Sequence, residues 1–137
     1  MIQRYWLLKS EPSTWSWEEQ LQVSSEPWTG VRNYQARNFM KDMNVGDLAF
    51  FYHSNIGKEI VGIVKVVAPY HPDDTDDSGR FGCVDVAPVS SLKTPVTLNQ
   101  IKKTPSLQDM ALLRQSRLSV MPLTKEEWDL ICKMGEC

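Results

Sequence analysis

The sequence has little of what enzymes and metal centres are commonly built from. Its histidines are His53 and His71 alone, and its three cysteines, Cys83, Cys132 and Cys137, are odd in number, unpaired in spacing and without the His partners of a zinc site. That pattern reads as reduced thiols in a cytoplasmic protein that holds no metal. The glycine-rich phosphate cradles and the Gly-x-Ser-x-Gly nucleophile elbow are missing as well, so no cofactor is expected. The longest apolar run, residues 60–68, is interrupted by Gly62 and Lys65 and falls far short of the roughly 20 residues of a membrane span, so no membrane partner is expected. The first residues lack the apolar stretch and small-residue cleavage site of a secretory signal. Internal repeats, low-complexity tracts and linkers are absent. Nor does one sign of charge dominate: 15 Lys and Arg against 17 Asp and Glu give −2, which excludes a polycation that coats nucleic acid. Any nucleic-acid contact must be local and selective.

What the chain does have is a core. Its 137 residues, 42% hydrophobic and 23% charged, suit one globular domain over residues 1–137, expected to be a monomer. Five tryptophans stand out, four of them (Trp6, Trp15, Trp17 and Trp28) within the first thirty residues. Such rings fill a core or form a stacking platform, and composition does not choose between the two.

Residues 4–9, aromatic-rich and ending before Pro12, predict a buried strand. Ser16 followed by Glu19 is a capping box that opens a short helix, and Asn33 caps a second over 34–43, with Tyr34, Phe39, Met40 and Met43 near helical spacing and Gly46 at its end. Residues 47–53 and 59–67 are β-rich runs forming a hairpin around Ser54–Lys58, and 83–89 alternates as a third strand of a meander, extended by 92–96. The acidic stretch Asp73–Asp77, between Pro72 and Gly79, reads as a solvated loop. Beyond Thr97 come short helices over 98–102 and 107–113, a brief strand over 117–121 ahead of Pro122, and a capping box, Thr124 with Glu127, that opens a last helix. Strands and short helices without βαβ alternation predict an α+β domain with a curved mixed sheet, closed or nearly closed as a small barrel.

Three polar and aromatic groups sit at element ends: Lys9-Ser10-Glu11, Trp28 with Val31-Arg32-Asn33-Tyr34-Gln35, and Tyr52-His53-Ser54-Asn55. Brought to one rim, they supply apolar faces, amide and hydroxyl groups and cations, which is the equipment for holding a flat heterocycle and reading its edge. Equally, Trp28 and Tyr34 serve as core, Arg32 pairs with a carboxylate and Asn33 only caps. His53 beside an acid suggests an enzyme acting on a nucleotide, although His53 and Ser54, adjacent on a strand, point to opposite faces. The near-neutral charge and aromatic N-terminal third suit a protein-binding adaptor.

The ordered segments Tyr5-Trp6-Leu7-Leu8-Lys9-Ser10-Glu11-Pro12, Trp28-x-Gly30-Val31-Arg32-Asn33-Tyr34-Gln35-Ala36-Arg37-Asn38, Phe51-Tyr52-His53-Ser54-Asn55, Val84-Asp85-Val86 and Arg117-Leu118-Ser119-Val120-x-Pro122 resemble the EVE domain family over nearly the whole chain. The resemblance implies a PUA-like fold, a mixed β pseudo-barrel with short peripheral helices, related to YTH and ASCH domains. It also implies a non-enzymatic reader of a modified nucleobase, with modified cytosine in DNA the leading ligand and a modified base in RNA the other, flipped into an aromatic and polar pocket. Carried over by position, the pocket lining is Lys9, Ser10, Glu11, Trp28, Val31, Arg32, Asn33, Tyr34, Gln35, Tyr52, His53 and Ser54, with Arg117 as a phosphate or rim contact. The chain departs from the family's pattern in a short loop after Pro72-Asp73-x-Thr75 and in Phe81, which stands nearest a family tryptophan and reshapes the stacking expected there.

Overall fold

The β-rich runs in the middle of the chain pair as a meander, and the aromatic run before Pro12 joins it from the side. In the computed structural model, which describes residues 3–137, β1 (Tyr5–Ser10), β2 (Glu26–Pro27), β3 (Leu48–His53), β4 (Glu59–Pro72), β5 (Gly82–Thr97) and β6 (Val120–Leu123) form one mixed sheet in the order β2-β5-β4-β3-β1-β6. Around it lie α1 (Trp17–Leu21), α2 (Tyr34–Asp42), α3 (Leu98–Lys102), α4 (Ala111–Arg114) and α5 (Lys125–Gly135). The architecture is the expected α+β, PUA-like pseudo-barrel, but its sheet is not closed. β2 contributes two residues and β6 four, too little strand to bridge the two ends.

Local chemistry accounts for the helix starts. Ser16 accepts from the Glu19 N–H while Glu19 accepts from the Ser16 N–H, the same reciprocal pair joins Thr124 and Glu127, and Asn33 accepts from Ala36. Where no cap exists the expected helix does not form: residues 107–113 split into a 3₁₀ turn, Pro105–Leu107, and α4, neither of which has a side-chain cap. The last strand begins at Val120, later than expected, and contains Pro122, which an edge strand tolerates because one side of it needs no N–H. The buried stripe of α2 is Ala36 and Met40, continued by Met43, whereas Tyr34 is 51% exposed and faces away.

One pairing positions the site. β1 runs parallel to β3 with Lys9 opposite Tyr52 and Ser10 opposite His53, so both strands end at the same edge of the sheet. Beneath them Trp6, Leu7, Phe50 and Phe51 are fully buried, and Trp128 of α5 stacks on Phe50 with ring centroids 3.9 Å apart. Asp47, also buried, accepts from Trp6 Nε1 at 3.0 Å and from the N–H groups of Arg4 and Asn44, so the indole of the first strand has its partner 41 residues away. Among the described helices none is long and apolar enough to cross a membrane.

Candidate functional site

Where β1 runs out, a cleft of about 450 Å³ opens between the Lys9-Ser10-Glu11 turn and the segment Glu26–Arg32. Its floor is aromatic. Trp28 is 7% exposed and meets Phe51 edge-on at 5.5 Å, so one part of the ring is core and the remainder lines the cleft. Trp15 also lines the cleft, its Nε1 donating to Gln20 Oε1 at 3.0 Å, and Gln20 in turn donates to the Val86 carbonyl. The polar side chains are Lys9, Ser10, Glu11, Thr14, Glu26, Thr29, Arg32 and Ser119. Lys9 Nζ donates to the Ser116 carbonyl at 2.9 Å, and burial pushes its ammonium below the ordinary lysine value. Glu26 goes the other way: burial first, then the charges of Asp85 and Glu19, push its carboxyl up. The cleft therefore sets charged and hydroxyl-bearing side chains beside aromatic and apolar faces, which suits a flat ligand with donors and acceptors on its edge.

One wall is fastened from outside the cleft. Asp73, read from sequence as part of a solvated loop, is 2% exposed. Its carboxylate accepts from the Gly30 N–H at 2.9 Å and from Arg32 Nη1 at 3.0 Å, and from both the N–H and the hydroxyl of Thr75, while Arg32 Nη2 also reaches Thr75. The acidic stretch thus carries less free charge than its composition implies. Gly30 has φ +86°, a left-handed conformation that side chains disfavour, and this turns its N–H toward the carboxylate. Burial alone would raise the Asp73 carboxyl, but the hydrogen bonds from Thr75, Gly30 and Arg32 outweigh it and hold it at about 2. Because the folded value lies below the unfolded one, this stability is present above about pH 4 and is lost as pH falls toward 2. We expect Asp73→Asn to lower stability by about 2 kcal/mol at pH 7 and by far less at pH 2. Urea unfolding of both proteins at the two pH values checks this; equal differences at both would refute the assignment.

The remaining expected residues are near the cleft rather than in it. Tyr52 is 3% exposed and belongs to the core, where burial pushes its hydroxyl up. His53 Nε2 accepts the Trp17 N–H at 3.0 Å, and burial, against the charges of Glu18 and Glu59, pushes the ring below its ordinary value. A lone pair held by a backbone N–H is unavailable as a base, so the enzymatic reading of His53 has no geometric support. Ser54 ties the two strand ends together through its N–H to the Ser10 carbonyl, and Asn55 donates to Glu11 Oε1. Asn33, Gln35 and Arg117 line a second, shallower depression of about 310 Å³ with Arg114, Gln115, Ser116 and Leu118. Tyr34 stacks on Phe81 at 5.1 Å, with Arg37 over the tyrosine and Arg32 over the phenylalanine, so Phe81 supports an exposed cation-and-ring ladder.

Sequence reasoning passed over Thr14, Trp15, Glu26, Pro27 and Ser119 as lining residues, while Thr29 and Gly30 entered only as part of the segment that follows Trp28. Trp15 was within reach from its place beside the capping box. Ser119 was not, since it arrives through strand pairing, its carbonyl accepting the Lys9 N–H at 2.9 Å. The cysteines show no zinc-site spacing with a histidine in the sequence, yet in the fold one thiol meets a ring: Cys83 Sγ lies 3.9 Å from His71 Nε2.

Residues 4–134 match the sequence model of the EVE domain family. Mouse (Mus musculus) thymocyte nuclear protein 1 is 36% identical over 172 residues, covering 98% of this chain and 75% of that one. A protein of Rhodopseudomonas palustris solved by NMR is 56% identical with a TM-score of 0.92, over 97% of this chain and 93% of that one. The human THYN1 protein, solved in complex with DNA containing 5-methylcytosine, is 33% identical with a TM-score of 0.91, over 98% of both chains.

Proposed function

Because the chain belongs to the EVE domain family, we propose that it binds DNA as a monomer and reads a modified cytosine flipped out of the helix into the cleft beside Trp28. The observation that carries this reading is the near-complete overlap with a protein solved on 5-methylcytosine DNA. The cleft supports it in size and chemistry. Its volume falls within the roughly 300–1,000 Å³ of small-ligand pockets. Trp28 and Trp15 offer faces for the pyrimidine, Glu26 and Glu11 offer acceptors for its exocyclic amine, and Lys9 and the hydroxyls offer donors for the ring nitrogen and carbonyl. Pro27 and Val31 are the apolar side chains beside which a 5-methyl group would sit. Outside the cleft, Arg37, with Arg114 and Arg117 at the second depression, are the cations for neighbouring phosphates. Such a protein works wherever DNA is held, in the cytoplasm of a bacterium or the nucleus of a eukaryote.

Unstacking a base costs a few kcal/mol, and a methyl in an apolar slot is worth about 1–3 kcal/mol, so discrimination of roughly ten- to two-hundred-fold is expected. Fluorescence anisotropy on short single-stranded and duplex DNA and RNA, each with one 5-methylcytosine beside its unmodified twin, at low and moderate salt, tests it. A preference for the methylated DNA that persists as salt rises is the expected result. Affinity indifferent to the methyl group would overturn the reading, and a preference confined to RNA would move the function to that polymer.

A further inference from the structure

At the far end of the β4–β5 ribbon three side chains share one face. Cys83 and Asp85, two residues apart on β5, project the same way, and His71 of β4 is the cross-strand partner of Cys83. One donor atom of each, His71 Nε2, Cys83 Sγ and an Asp85 carboxylate oxygen, lies within 4.8 Å of the other two. Cys83 is buried, while His71 and Asp85 are partly open to solvent, so the cluster has an apolar back and a wet front.

The imidazole has an unusual setting. Nδ1 lies 3.1 Å from the Pro72 carbonyl and Nε2 lies 2.7 Å from Asp85 Oδ1, so both ring nitrogens face oxygens that only accept. A neutral ring has one N–H and satisfies one of these. The other position calls for a second proton or a metal cation. A ligating histidine with its far N–H on a backbone carbonyl is the arrangement that fixes tautomer and ring orientation in metal sites.

We propose that His71 Nε2, Cys83 Sγ and Asp85 bind a divalent transition metal of the zinc class, with solvent at the fourth position. Imidazole and thiolate donors select such an ion over magnesium or calcium. On binding, the Cys83 thiol gives its proton to solvent and His71 offers the Nε2 lone pair, a protonated ring losing its Nε2 proton to solvent and a neutral Nε2–H ring shifting that proton to Nδ1 against the Pro72 carbonyl. Metal–sulfur and metal–nitrogen bonds form at the freed lone pairs, and thiolate and carboxylate together balance the 2+ charge. Bond lengths near 2.0–2.3 Å in a tetrahedron put nitrogen and sulfur about 3.6 Å apart, close to the 3.9 Å present. Nitrogen and oxygen would stand about 3.4 Å apart, so the partly exposed Asp85 carboxylate must swing away from its present 2.7 Å. Nothing in the sequence spacing signals the site, because its donors come from two strands and one is a carboxylate.

The test is titration of the full chain, stripped with chelator and kept reduced, with Co²⁺ followed by absorbance and with Zn²⁺ followed by calorimetry. One equivalent should bind, with a thiolate-to-cobalt charge-transfer band. Cys83→Ser should abolish the band, and His71→Gln and Asp85→Asn should each weaken Zn²⁺ more than tenfold. Cys132→Ser and Cys137→Ser should bind as the parent does. His71→Gln replaces a partly exposed ring, so its fold can be verified by circular dichroism even where Cys83→Ser proves unstable. No saturable binding by the parent, unchanged binding by folded His71→Gln, or a band that follows Cys132 and Cys137 would each overturn the site.

Discussion

Trp28→Ala is expected to reduce affinity for a duplex carrying 5-methylcytosine by roughly 5- to 150-fold, the equivalent of about 1–3 kcal/mol for a lost base-stacking surface. The ring also packs edge-on against Phe51 at 5.5 Å and is 7% exposed, so the same change removes core and should lower stability by about 3–5 kcal/mol. Two further variants separate these effects. Trp28→Phe keeps an aromatic in the core, and Trp15→Ala removes a second lining ring while sacrificing the hydrogen bond to Gln20. Each should weaken binding less than Trp28→Ala while remaining folded at the assay temperature. If all three bind modified DNA as the parent does, with thermal melts confirming the fold, the cleft is not the binding site. The Asp73 fastening adds an indirect arm to this test. It touches no ligand in the proposed pose, yet it holds Gly30 and Arg32 in the wall, so Asp73→Asn should weaken binding at neutral pH through position alone.

Gly62→Ala should be strongly damaging for a single added methyl, lowering stability by about 3 kcal/mol and the melting midpoint by roughly 10 °C. A β-carbon at Gly62 would land inside the Trp17 indole, in contact with Cζ2, Cε2 and Cη2. The ring has no easy retreat. Phe51 packs on it at 5.1 Å, its Nε1 donates to Ser91 Oγ at 2.8 Å, and its backbone N–H is held by His53. Moving it breaks the Ser91 bond and shifts α1, which carries the capping box next to the Trp15 wall. In a Trp17→Leu background the clash disappears, so adding Gly62→Ala there should cost under about 1 kcal/mol, a non-additivity that a double-mutant cycle measures. A fully additive cycle, or a midpoint shift of Gly62→Ala smaller than about 2 °C, would show that the indole is free to move.

Much of the fold was legible in the residues because its signals are local. Capping needs a hydroxyl and a carboxylate three residues apart, as Ser16 with Glu19 and Thr124 with Glu127 are, and a strand needs alternation over a few positions, as residues 83–89 show. The one helix drawn too long, over 107–113, is the one without a cap. For the site, Lys9, Ser10, Glu11, Trp28, Val31 and Arg32 were legible as polar and aromatic residues at element ends, and the structure gathers them on one cleft. Asn33, Gln35 and Arg117 fall to a neighbouring depression, and Tyr52 falls into the core, because the direction of a side chain depends on register.

The sequence by itself determined the α+β class, the helix starts, the central meander and an aromatic, polar rim with no cofactor-binding motif beside it. Tertiary structure alone decided the parallel pairing of β1 with β3, which tryptophans are core and which line the cleft, the burial of Asp73 against a segment 43 residues away, and the meeting of His71, Cys83 and Asp85. The division follows from range. Dihedral preference and capping act within a turn or two of chain, whereas burial, electrostatic pairing and donor clusters arise only after distant segments have been brought into register by a common core.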